Sequence, residues 1–161
     1  ISLLLDLGKY SSKGDKKEYQ EVIHYILQSA INLAKAKAGA IFNHQRGKNF
    51  ELLYSKGLDN KAKNQLRLVS IEKSYALREI YEKMDQINGQ YSKTNLGCLY
   101  ISENIKIKSF LLVPLLMENR LKGFIFLEFA SEKMLQLPEK DFYKAFAYHA
   151  SSALISAGII K

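Results

Sequence analysis

The sequence predicts an α+β domain: a central antiparallel β-sheet, N- and C-terminal helices on one face, and a ligand pocket under an irregular segment on the other. Three observations predict it. Two apolar runs, 110–117 and 123–129, flank the short polar stretch Glu118-Asn119-Arg120-Leu121-Lys122, which is the pattern of a β-hairpin. Both runs are almost continuously hydrophobic, so both faces of these strands are expected to be covered. Apolar residues at helical spacing recur before, between and after the hairpins, whereas residues 90–104 show no period. An irregular cover of that kind is where a pocket is expected.

In chain order, residues 1–10 place Leu3, Leu4 and Leu7 on one helical stripe, the expected end of a helix arriving from upstream, and Ser11, Ser12 and Gly14 break it. From Lys16 or Lys17 onward Val22, Ile23, Ile26, Leu27, Ala30, Ile31 and Ala34 recur at helical spacing. Asp15 is the expected N-cap, with Glu18 and Glu21 near the positive end of the helix dipole. Residues 38–43 and 50–55 read as a second hairpin with Gly47 in its turn, ended by Gly57. Residues 60–68 are polar and basic, a loop or a short helix. Ser74 then precedes Leu77, Ile80, Tyr81 and Met84 at helical spacing, and this helix is expected to end near Asn88-Gly89. A short strand at Tyr91 and a short helix after Thr94 are expected in the irregular segment. In the central hairpin Pro114 removes a ladder donor, so a bulge or an opening is expected beside it. Residues 131–137 read as a loop and Pro138 as the first turn of a last helix carrying Phe142, Ala145, Phe146, His149 and Ala153.

A chain of 161 residues fits one domain with a sizeable core. With 47% hydrophobic and 25% charged residues, the composition is that of an ordinary globular domain rather than a disordered or membrane-spanning one. The opening stretch is short for a signal peptide and carries Asp6. Because the first residue is Ile1 and the last dozen residues still read as helix, the sequence is expected to be a piece of a longer polypeptide. Cys98 is the only cysteine, which excludes an internal disulfide and agrees with a cytoplasmic location. The net charge of +8 raises nucleic acid or an acidic membrane as partners, yet the 24 Lys and Arg are spread along the chain without a basic run interleaved with aromatics. Neither partner is expected, and an anionic ligand is compatible.

No phosphate-binding glycine loop, nucleophile elbow or metalloprotease motif is present, and His24, His44 and His149 lack metal-ligand spacing. The chain is therefore expected to be a non-enzyme with no metal and no resident cofactor, any catalysis lying in a neighbouring domain.

The segments LLLDLGKYSS with the long helix after it, AKAGAIF, LLYSKGL, FLLVPL turning into LKGFIFLEF, and LPEKDFYKAFAYHASSAL follow one another over essentially the whole chain. In that order and spacing they resemble a GAF domain, a small-molecule-sensing regulatory module with a GAF/PAS-like sheet. The resemblance implies a single GAF domain over 1–161, with an incoming helix and linker over 1–15 and the core with its outgoing helix over 16–161. The methionine-sulfoxide reductases of this family need several cysteines, and Cys98 is alone. Bilin-binding members attach the chromophore through cysteine, commonly beside histidine, whereas Leu99 and Tyr100 follow Cys98. His149 reads as a packed or solvated helix residue rather than a haem ligand.

What the resemblance implies instead is reversible binding of a cyclic nucleotide such as cAMP, with the phosphate at a helix N-terminus. The candidate ligand residues are Ser74 and Tyr75 at a helix start, Tyr91, Ser92, Thr94, Asn95 and Tyr100 in the irregular segment, and Phe110. The Asn-Lys, Phe, Asp-Glu signature of phosphodiesterase members is absent, since Phe129-Ala130-Ser131 and Pro138-Glu139 stand near its place. The implied function is control of an attached output domain, such as a diguanylate cyclase, in a bacterial signalling protein that forms a homodimer through its terminal helices. Two other readings stay open: a ligand-free dimerisation module whose cavity is filled by Phe110, Tyr91 and Tyr100, and the effector half of a transcription regulator.

Overall fold

In the computed structural model the structure describes residues 16–91, 99–100 and 106–161. The stripe of apolar residues from Val22 to Ala34 forms helix α1 (Lys16–Ala34), and the first hairpin follows as β1 (Ala38–Arg46) and β2 (Asn49–Lys56). The basic stretch after Gly57 is a helix, α2 (Asn60–Leu66), followed by the short strand β3 (Leu68–Ser70). Helix α3 (Tyr75–Lys83), strand β4 (Ile87–Gln90), the central strands β5 (Ser109–Met117) and β6 (Arg120–Phe129), and helix α4 (Leu137–Ser156) complete the described elements.

The strands form one six-stranded antiparallel sheet in the order β3-β2-β1-β6-β5-β4, with the β5–β6 hairpin near its middle. Met117 pairs with Arg120, so the turn is only Glu118-Asn119, both in the left-handed region at φ 53° and 62°. Such a two-residue turn matches the twist of the strands it joins. Arg120, Leu121 and Lys122, read from the sequence as part of the turn, thus belong to β6.

The pleat divides the side chains between two cores. Ile125, Leu127 and Phe129 of β6, with Ile41, Leu111, Val113 and Leu115, lie under α1 and α4. Phe124 and Phe126, with Ala38, Phe42, Phe110 and Leu112, face the opposite way and meet Ala62 and Leu66 of α2 and Ala76, Leu77 and Ile80 of α3. The face expected to carry only an irregular cover therefore also carries two short helices. β6 comes so close to β1 that a Cβ on Gly123 would lie 2.2 Å from the Phe42 carbonyl oxygen.

Helix α3 is shorter than its periodicity predicts. Met84 turns left-handed at φ 53° and returns its N–H to the Ile80 carbonyl, which stops the helix. Asn88-Gly89, expected at the helix end, pairs instead with Leu111 and Phe110 as part of β4. That pairing runs out at Leu112, two residues before Pro114, and a register shift follows between Leu115 and Leu116, so the disruption expected beside the proline is present. The predicted helix over residues 1–10, the Asp15 cap and the helix after Thr94 lie outside the described residues. Among the described residues no helix is long and apolar enough to cross a membrane, and no group of three or more His, Cys, Asp and Glu could hold a metal ion.

Candidate functional site

One charged side chain is carried into the second core. Glu128 shares the inward parity of Phe124 and Phe126 along β6 and is 2% exposed. The hydroxyl of Tyr91, just past β4, donates to its Oε2 at 2.5 Å, and the hydroxyl of Tyr100 is shared between Oε1 and Oε2 at 2.9 Å each. Burial pushes the Glu128 carboxyl above the usual carboxylate range; the two tyrosine bonds pull the other way, and Asp59 adds a smaller upward push. The backbone here is fixed as well, because the Lys37 N–H donates to the Glu128 carbonyl at 2.8 Å.

Glu128 and Tyr100 border a cleft of about 430 Å³, bounded by Leu58, Ala62 and Ile107 and rimmed by exposed Lys37, Asp59, Lys61 and Lys106. That volume lies within the range of small-molecule sites, roughly 300–1,000 Å³. Asp59 caps α2 by accepting the Ala62 N–H at 2.8 Å, which presents the start of that helix at the cleft mouth. Among the described residues three lysines and two carboxylates line the cleft, so the rim suits an anion while Glu128 offers an acceptor.

No protein-family model matches the chain, and no curated protein matches it. Solved structures do. The GAF domain of a phosphoenolpyruvate-protein phosphotransferase from Acinetobacter superposes with a TM-score of 0.75 at 15% identity, over 98% of this chain and 93% of that one. A GAF domain/HD domain protein from Geobacter sulfurreducens gives 0.73 at 16% identity over 88% and 94%. This chain has the GAF fold. A type II free methionine-R-sulfoxide reductase from Thermoplasma acidophilum also matches, at 0.64 and 13% identity over 85% and 95%, so an enzyme shares this fold.

Within this fold the sequence-predicted residues fall into three groups. Tyr91, Tyr100 and Phe110 come together: Phe110 is buried with its ring 5.4 Å from that of Tyr91, and Tyr91 and Tyr100 meet on Glu128. Of these, Tyr100 lines the cleft. Ser74 and Tyr75 do not line it. The Ser74 hydroxyl caps α3 by accepting the Leu77 N–H at 3.1 Å, and Tyr75 is exposed, with Glu79 beside its hydroxyl raising its pKa. Ser92, Thr94 and Asn95 lie outside the described residues.

Glu128, Lys37 and Asp59 were absent from the sequence-based site. Glu128 did carry a signal, being the lone carboxylate in the run GFIFLEF at the parity of the inward phenylalanines. The histidines sit elsewhere: His24 stacks on Tyr54 at 3.8 Å, the His44 ring nitrogen lies 2.7 Å from the Gly47 carbonyl, and His149 lies beside Tyr148.

Proposed function

We propose that this GAF domain is a ligand-sensing regulatory domain of a bacterial signal-transduction protein, acting in the cytoplasm, whose cleft takes a cyclic nucleotide such as cAMP. The observation that carries the reading is the cleft itself, which sets the Tyr100 ring and a lysine rim around one ligand-sized volume. Lysine attracts phosphate as a point charge, and an aromatic face accommodates a base. Neighbours in which a GAF domain belongs to a phosphotransferase or accompanies an HD domain support a regulatory role with chemistry in an attached output domain. A diguanylate cyclase is the output domain we propose, with a second copy of the chain paired through the terminal helices.

Thermal unfolding in the presence of cAMP tests this. A ligand that binds only the folded chain at a hundredfold excess over its dissociation constant stabilises it by about 2.7 kcal/mol, or about 5–10 °C for a domain of this size. Lys37→Glu and Lys106→Glu should each reduce that rise. An unmoved midpoint with cAMP sinks the cyclic-nucleotide reading.

A second reading, a ligand-free dimerisation module, is favoured by one observation. Phe110, Tyr91 and the stacked Phe42 and Phe124 rings already fill the sheet face beside the cleft. It predicts no thermal shift with any small molecule and a stable dimer in sedimentation.

A further inference from the structure

We propose that Glu128 selects the ligand of this cleft by accepting a hydrogen bond from an N–H donor, an exocyclic amine or an ammonium, on a molecule whose anionic group faces the lysine rim. The inference rests on the reading that the cleft holds a ligand.

Three features of the carboxylate carry it. A carboxylate offers about four lone-pair sites. Tyr91 takes one on Oε2, and Tyr100 divides its single proton between both oxygens, so among the described residues Oε1 receives only that shared bond. Acceptor capacity therefore remains on the carboxyl of a buried residue that lines the cleft.

Next, both tyrosines donate toward Glu128, so their hydroxyl protons serve to aim the carboxylate. The group that reads the ligand is thus an acceptor fixed in place from two sides, on a central strand. A ligand carbonyl opposite it meets like polarity, whereas an N–H finds a pre-positioned partner.

Last, among the described residues no lysine, arginine or histidine forms an ion pair with Glu128, and burial outweighs both tyrosine bonds. An unpaired buried carboxylate is costly, and a tyrosine network that only held the cover over the sheet would be as well served by apolar groups. A donor arriving with the ligand offsets that cost. The lysines Lys37, Lys61 and Lys106 then fix the other end of the molecule, so amine and anion must belong to one ligand. Both a 6-aminopurine nucleotide and an amino acid have this chemistry.

Calorimetric titration with two matched pairs separates them: cAMP against purine riboside 3′,5′-cyclic monophosphate, which lacks only the 6-amino group, and phenylalanine against 3-phenylpropionate. The wild-type chain should bind the amino member of one pair about 10- to 100-fold more tightly than its partner. That preference should shrink in Glu128→Gln and vanish in Glu128→Met, a volume-conserving change that also removes the buried charge, with circular dichroism confirming the fold of both.

A preference confined to the nucleotide pair supports both Glu128 as the selecting residue and the cyclic-nucleotide reading. A preference within the amino-acid pair, with neither nucleotide bound, supports Glu128 and overturns the cyclic-nucleotide reading. Equal binding of cAMP and its amino-free analogue, or a preference that survives Glu128→Met, overturns the role of Glu128 while the proposed function stands. Binding of none of the four overturns both.

Discussion

At the scale of the residue, Glu128 couples proton binding to folding. Its carboxyl ionises around pH 4 in the unfolded chain, and burial raises that value in the folded one against the pull of Tyr91 and Tyr100. The groups placed around it are those two hydroxyls, Asp59 at the mouth of the cleft and the lysines of its rim. Between the two values the folded state holds the proton and the unfolded state does not. The stabilisation is therefore complete below the unfolded value and lost as pH rises through the folded one. Melting temperatures from pH 4 to 8 should show Glu128→Met gaining on the wild type as pH rises across this window, and parallel curves would refute the coupling. The residue was hard to read from sequence because one carboxylate in an apolar strand looks like core until its parity and its two tyrosine partners, 37 and 28 positions away, are known. Ser74 was the opposite case: a hydroxyl before a helical period is legible as a cap, and it is one.

At the scale of the element, hydrophobic period and turn chemistry made both hairpins and the last helix legible. The central strands were found because continuous apolar runs need cover on both faces, and they have it. β4 was misread because Ile87 continues the helical spacing of Leu77, Ile80 and Met84, while the left-handed turn at Met84 that ends α3 has no glycine to announce it. Pairing with β5 then decides the outcome, a tertiary contact that local pattern does not contain. The glycine that opens the apolar part of β6 carries a testable constraint. Since a Cβ at Gly123 would meet the Phe42 carbonyl at 2.2 Å, and a paired backbone cannot rotate away as a side chain can, Gly123→Ala must push β6 from β1. The expected cost is about 3 kcal/mol, at the upper end for overpacking, or a melting temperature lower by about 6–12 °C. An unchanged melting temperature would mean that the two strands lie farther apart.

At the scale of the whole molecule, β6 joins the cleft to the core beneath α1 and α4, and β1 beside it does the same through Ala38 and Ile41. Glu128 and Phe126 lie on the face that carries the cleft, while their neighbours Leu127 and Phe129 sit in the core beneath α1 and α4. A ligand that shifts β6 therefore acts on those helices through side chains one residue away, which is the geometry a regulatory domain needs to move an attached partner. Whether a second copy receives that movement depends on the outer surface of the same helices, where Leu33 on α1 and Phe142 and Tyr148 on α4 stand exposed at 46%, 48% and 64%. Scattered apolar side chains are normal on a monomer, so exposure alone does not make an interface. The homodimer reading makes a sharper demand: charge placed on that surface must weaken association without weakening the fold. Leu33→Asp should leave the melting temperature of the dissociated chain within about 2 °C, since an exposed change typically costs no more than about 0.5 kcal/mol. Over the same concentration series it should raise the dimer dissociation constant tenfold or more in sedimentation velocity, because a buried unpaired carboxylate at an interface costs more than one tenfold step. Coincident sedimentation of wild type and variant would remove α1 from the interface, and the coupling through β6 would then have to reach the output domain along α4 alone.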